Sequence, residues 1–351
     1  MSIEQSTFGT LNGQSVPLFT LRNQNNLTVS ITPYGGTVTS IRTPDRQGQL
    51  GEITLGFPTL EPYLTHPFHF GATVGRFANR IANGRFILDN EAYNLQSGPD
   101  GHTLHGGPTG WGQQLWEVVQ THEKPDSQLL LRYESSDGEG GFPGRVTATV
   151  TYTLTQKNRL VFDYAAETDR ATPINLTNHC YFNLHDGGRT SILNHELRLF
   201  GLFFTPTDRF NIPTGEIRSV KRSPFSFLRR RPIGGRIDAN HQQLQYGNGY
   251  DHNYVLPEKE GLQIAARVVE PQTGRRLDVW TTEPGLQFYT GNWLDGQWRG
   301  HSDIPYAARS GFCLETQHFP DSPNRPNFPS AVLRPNAPFH SRTEYRFGVV
   351  K

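Results

Sequence analysis

Cysteine is scarce: Cys180 and Cys313 are the two in 351 residues, and each lies in an apolar stretch. Two thiols so placed argue against a disulfide framework and a thiolate metal site, and point to a reducing cytoplasm. Net charge is missing too. Lys+Arg 33 against Asp+Glu 32 leaves +1, so no global field recruits nucleic acid, a membrane surface or an acidic protein. No apolar run approaches the roughly 18 residues of a membrane span, and Met1-Ser2-Ile3-Glu4-Gln5 lacks the basic start and apolar region of an export signal. The expected partner is therefore a small, roughly neutral molecule, and the expected state a monomer or weak homodimer in the cytoplasm.

Long amphipathic stretches are also absent; none free of Gly or Pro exceeds about three turns. What is present is Gly 36, Pro 25, Tyr 13 and Phe 22, a composition of turns joining aromatic-rich strands. Alternation is clearest over Arg145–Thr155, where Val146, Ala148, Val150, Tyr152 and Leu154 share one face and threonines the other. A turn at Gln156-Lys157-Asn158 returns the chain through Leu160, Phe162, Tyr164 and Ala166, which reads as a hairpin. Further strands are expected at Leu27–Ile31, Gly84–Leu95, Leu115–Thr121, Gln128–Glu134, Leu262–Thr282 and Thr343–Val350. With no βαβ rhythm and no linker-like shift, the expected architecture is all-β, a large antiparallel β-sandwich in a single domain over residues 1–351. Arg218–Asp238, which contains Arg229-Arg230-Arg231, reads as a long surface connection.

Chemistry has five candidate seats. Treated as one strand, Asn175–Leu184 turns Leu176, Cys180, Phe182 and Leu184 one way and Asn175, Thr177, His179, Tyr181 and Asn183 the other. Asn, His and Tyr together suit a concave, hydroxyl-binding surface, although His179 alone is also explained as a structural histidine. Gly311–Gln317 repeats the pattern, with Phe312 and Leu314 inward and Cys313, Glu315 and Gln317 opposite. Glutamate is seldom buried in a strand unpaired, so Glu315 is either salt-bridged or a base of tuned pKa. Arginines and histidines beside glycines, at Asn79-Arg80 and at His105 in Leu104-His105-Gly106-Gly107, suit sugar oxygens, whereas Arg76 fits a structural role on loop carbonyls. Asp251 could take two adjacent hydroxyls or simply form a turn, and Gln287 shares a face with Tyr289.

Read together, the segments G-R-F-A-N-R-I-A-N-G-R-F from Gly75, L-H-G-G from Leu104, T-N-H-C-Y-F-N-L from Thr177, G-Y-D-H-N-Y-V-L from Gly249, T-E-P-G-L-Q-F-Y-T-G-N from Thr282 and L-E-T-Q-H-F-P-D-S-P-N from Leu314 resemble the aldose 1-epimerase (galactose mutarotase) family, in its order. The resemblance implies a galactose mutarotase-like β-supersandwich and cofactor-independent interconversion of the anomers of free aldohexoses. Position by position, Glu315 is similar to that family's general base and His179 to its general acid. Asn79, Arg80, His105, Asp251 and Gln287 are similar to its sugar-binding groups, with Tyr181 on the same strand as His179. Departures at Cys180, Trp293 and Pro224–Pro232 bear on substrate preference.

Ring opening needs a base at O1 and an acid at O5 acting together, hence an ionised Glu315 and a protonated His179. Keeping His179 protonated requires a nearby negative charge, from Glu315 or Asp251. Two other readings compete. One is a hexose-6-phosphate epimerase with a basic phosphate clamp, and the other a non-catalytic carbohydrate-binding protein. No metal is expected, because a set built from His102, His105, His318 and Glu315 lacks any H-E-x-x-H spacing.

Overall fold

A computed structural model describes residues 2–350, and among them strands dominate, with one α-helix, Gln242–Gly247. Three sheets carry the fold. The largest has nine strands, in the spatial order Glu117–His122, Ser127–Ser135, Val146–Leu154, Arg159–Thr168, Phe339–Val349, Arg275–Thr281, Gln263–Val269, Glu196–Leu199 and Arg231–Pro232. Five strands, Ser2–Leu11, Gln14–Arg22, Thr28–Thr32, Thr37–Pro44 and Leu50–Glu52, form a meander. The third sheet has six, in the order Tyr181–Phe182, Phe312–Gln317, Gly285–Tyr289, Asp251–Val255, Phe203–Phe204 and Arg218–Ser219. Pairing within these sheets is antiparallel throughout. The expected hairpins at Val146–Thr168, Arg85–Asn94 and Gln263–Thr281 are all present.

One apolar cluster joins the three sheets. Leu129, Val150, Phe162, Leu277 and Tyr345 of the large sheet meet Val29, Ile31 and Ile41 of the meander and Leu286, Phe288, Phe312 and Leu314 of the six-stranded sheet. Alternation then decides where the site lies. Since Phe312, Leu314, Leu286 and Phe288 face this core, Cys313, Glu315, Gln287 and Tyr289 must face the other way.

Two sequence expectations need correction. Asn175–Leu184 is not one strand but two short ones, Thr177–Asn178 and Tyr181–Phe182, which pair with Thr73–Val74 and Phe312–Gln317 respectively. The break falls at His179-Cys180, where Asn178 Oδ1 accepts from the Cys180 N–H at 3.1 Å and bends the chain; Asn is a residue whose side chain competes with ladder pairing. Arg218–Asp238 is not a surface connection either. Val220, Phe225, Phe227, Ile233 and Ile237 are buried in the main cluster, because their apolar area outweighs the charge of the arginines between them, and Arg230 pairs with Glu196 at 3.0 Å.

Arg76 has the structural role expected of it. Buried at 2% exposure, it donates to Pro143 O, Gly144 O, Ser135 Oγ and Ser136 O at 2.5–3.1 Å. It thereby anchors the loop that delivers Asn79 and Arg80. Arg76→Ala should lower stability by about 3 kcal/mol, since it strips several buried acceptors of their donor. Urea unfolding will read this as a lower midpoint at unchanged slope, with Arg76→Lys recovering only part.

Candidate active site

Local backbone chemistry sets the site's wall. Asn79 and His105 both adopt left-handed φ, +65° and +54°, and they lock together: the His105 N–H donates to Asn79 O at 3.0 Å and the Asn79 N–H to His105 Nδ1 at 3.2 Å. Asparagine tolerates this region; histidine holds it at a cost that the surroundings must offset. Gly106 permits the approach, because a Cβ there would stand 2.2 Å from Gly75 O. His179 is held from the same side, its N–H donating to Ala72 O and its carbonyl accepting from the Gly71 N–H, both at 2.9 Å.

The six-stranded sheet supplies the floor. Register aligns Asn253 with Gln287 and Gln287 with Glu315, and one step along aligns Asp251, Tyr289 and Cys313. Against these strands lies a cavity of about 220 Å³ lined by His69, Asn79, Arg80, His105, His179, Tyr181, Asp251, Tyr289 and Glu315, with Pro67, Phe68, Leu104 and Trp293 also bounding it. Its volume equals the share of roughly seven waters at about 30 Å³ each, which suits a single small polyol. Trp293 is 56% exposed.

Seven of the eight residues singled out from sequence line this one cavity. Gln287 does not; it stands behind, its Nε2 donating to Asp251 Oδ1 at 2.6 Å. That bond and Arg80, 3.8 Å from Asp251 Oδ2, fix the carboxylate in place, so Asp251 is no turn former here but part of a strand.

Glu315 and His179 are 2% and 4% exposed, with Oε2 3.5 Å from Nε2. Burial, reinforced by the negative charge of Asp251, pushes the Glu315 carboxyl well above the usual range, while Arg80 opposes this. Burial also holds the His179 imidazole down at about 3, with His69 adding to the effect. Burial thus works against the ionised glutamate and protonated histidine that ring opening calls for, pushing each group toward its uncharged form. His105 is likewise held well below the ordinary histidine value by burial, then by His69 and His179.

Neither His102 nor His318 joins the site. The His102 Nδ1 accepts from the Asn83 N–H at 2.9 Å and His318 Nδ1 pairs with Glu283 at 2.7 Å. His105, His179 and Glu315 do bring one potential ligand atom each to within 4.8 Å of one another. The polarity is wrong for a cation, however: with Nδ1 accepting from Asn79, the neutral His105 ring carries its hydrogen on Nε2, whereas a metal-bound histidine donates from its second nitrogen.

His69 and Cys313 escaped the sequence reading as working residues. His69, at φ +55°, packs its ring 4.9 Å from that of His105 and 6.0 Å from that of His179; the density of His and Phe in His66–Phe70 was its one signal. Cys313 was placed on the correct face, yet nothing in the sequence showed that its Sγ lies 3.6 Å from His179 Nδ1.

Residues 17–346 match the family described as Aldose 1-epimerase. The galactose mutarotase of Rattus norvegicus is 41% identical, with 99% of each chain covered. The aldose 1-epimerase of Escherichia coli (strain K12) is 39% identical over 95% of this chain and 96% of its own. Among solved structures, an aldose epimerase homologue from C. elegans superposes with a TM-score of 0.88 at 29% identity, covering 96% of this chain and all of the other. On the strength of this full-length match, the chain belongs to the aldose 1-epimerase family.

Proposed function

We propose that the protein interconverts the α- and β-anomers of free aldohexoses, galactose and glucose foremost, with Glu315 as base at the anomeric hydroxyl and His179 as acid at the ring oxygen. The observation that carries this reading is the buried Glu315–His179 contact, 3.5 Å long, on the floor of a monosaccharide-sized cavity. Anomers share one oxidation state, so the chemistry asks for two proton transfers and a bond rotation, and for no redox cofactor.

The pair's proton count explains how neutral groups can serve. Neutral Glu315 with neutral His179 holds as many protons as ionised Glu315 with protonated His179; the two forms differ by one proton moved from Oε2 to Nε2. Sugar hydroxyls and Arg80 favour the ionic form at the moment of binding. O1–H then gives its proton to Glu315 as His179 gives its own to O5, the C1–O5 bond breaks, and the neutral pair faces the open-chain aldehyde. Rotation about C1–C2 and the reverse transfers close the ring on the other face. Asn79, Arg80, His105 and Asp251 hold the hydroxyls, Gln287 keeps Asp251 in place, and Tyr181 stacks on the His179 ring at 5.1 Å.

A phosphorylated hexose fits poorly. Arg80 is the one Lys or Arg among the cavity-lining residues, and Asp251 already pairs with it. A purely sugar-binding protein would have no use for a buried acid–base pair.

Polarimetry on freshly dissolved α-D-galactose and α-D-glucose should show faster drift with the protein than in buffer, and glucose 6-phosphate should show none. Glu315→Gln and His179→Asn should each slow the reaction by about 10²-fold or more. If the wild type accelerates no common aldohexose, the proposal is lost; acceleration of the phosphate ester alone would replace it with the other enzyme reading. The pH profile follows from the shifts. The working pair carries one proton, which is supplemented only as pH falls toward about 3, the His179 value, and lost only above the raised Glu315 range. kcat/KM should thus stay level from pH 7 down to pH 5, whereas an ordinary glutamate–histidine pair would still be taking up its first proton, at the histidine, over that range and its kcat/KM would rise.

A further inference from the structure

A histidine that exchanges protons at one ring nitrogen needs the other held in a defined state, and carboxylates or backbone carbonyls commonly do this. Here the Nδ1 of His179 meets neither. Its neighbour is the thiol of Cys313, with Sγ 3.6 Å away, on a residue with no solvent exposure. Cys313 sits mid-sheet, in register with Tyr181 on one side and Tyr289 on the other, so two strands fix its side chain against the imidazole. Burial raises the thiol well above its ordinary pKa. Sulfur in this state is an uncharged, weak donor and weak acceptor.

The direction of the bond matters. For Glu315 and His179 to trade a proton, Nε2 must be able to offer a lone pair to the carboxyl, which places the hydrogen of the neutral ring on Nδ1. That hydrogen needs an acceptor. A thiol donating to Nδ1 would instead put the hydrogen on Nε2 and leave the pair unable to pass between its neutral and ionic forms. The other groups facing the ring do not compete for Nδ1: Glu315 is on Nε2, Tyr181 covers a ring face, and His69 and His105 pack at 6.0 and 5.1 Å between centroids.

We propose that Cys313 is a positioning residue whose sulfur accepts the Nδ1 hydrogen of His179, reserving Nε2 for proton exchange with the sugar. This rests on the epimerase reading and deepens it. Using an uncharged sulfur in place of a carboxylate has a chemical purpose. A carboxylate at Nδ1 would stabilise the imidazolium and make it a poorer donor, whereas sulfur orients the ring without doing so.

Nitrogen-15 NMR of the wild-type protein, with the His179 signals assigned by their loss in His179→Asn, should show a protonated Nδ1 and an unprotonated Nε2 in the sugar-free state. Cys313→Ala should shift His179 toward the Nε2-protonated tautomer and lower kcat on the order of tenfold, with KM within about threefold of wild type. Cys313→Ser, whose hydroxyl also accepts, should recover most of both effects. A wild-type His179 protonated on Nε2 overturns the proposal, as does a Cys313→Ala protein that folds yet keeps wild-type kcat and tautomer. If Cys313→Ala does not fold, Cys313→Ser and the wild-type spectrum decide. The tautomer is read without any turnover, so its outcome stands apart from failure of the epimerase reading, which polarimetry on the wild type reports.

Discussion

Two titratable groups buried side by side, Glu315 and His179, are the constraint on which this structure turns. Neither Glu315 nor His179 can hold a charge cheaply at its depth. Keeping that arrangement requires exclusion of water, which is why aromatic and histidine rings crowd the site. It also requires one path to ionisation, through a bound polar molecule that replaces solvent with fixed hydroxyls. Arg80 and Asp251, with Gln287 behind, form the nearby polar frame in which such a molecule is oriented.

The fold serves this need through sheet geometry. The nine-stranded sheet and the meander cover the apolar face of the six-stranded sheet, so that sheet's other face is free to present polar residues in rows. Each row is fixed by antiparallel register and each residue's side by pleat. A one-residue slip in Phe312–Gln317 would bury Glu315 in hydrocarbon and expose Leu314, so the same hydrophobic pattern that stabilises the core specifies which face reacts. The opposite wall is made of loops, and there precision comes from mutual hydrogen bonds, as between Asn79 and His105.

How far the site was legible in the sequence followed the same division. Strand alternation placed Glu315, Cys313, Phe312 and Leu314 on their correct faces, because period two is a local property. The break at His179 and the burial of Phe225 and Phe227 were invisible, since each depends on which distant segment packs alongside. The bias of burial on protonation was the least legible feature. From residue types alone, a carboxylate and an imidazolium are the natural pair; depth of burial opposes that preference, and depth is a tertiary quantity. Gln287 shows the finer limit: its residue type suggested contact with a sugar, whereas its amide nitrogen donates to Asp251 from behind the cavity.

His179 is hydrogen-bonded in both directions to the Gly71–Ala72 peptides, more than a hundred positions earlier in the chain, and meets Glu315 from more than a hundred positions later. A centre stitched together over such separations has no local precursor. Long-range pairings of this kind form only after large loops have closed, so the reactive pair is among the last things folding assembles. A nascent or partly unfolded chain carries both residues but holds them as an ordinary glutamate and an ordinary histidine in water. Activity in this protein is therefore a report on the completeness of its fold.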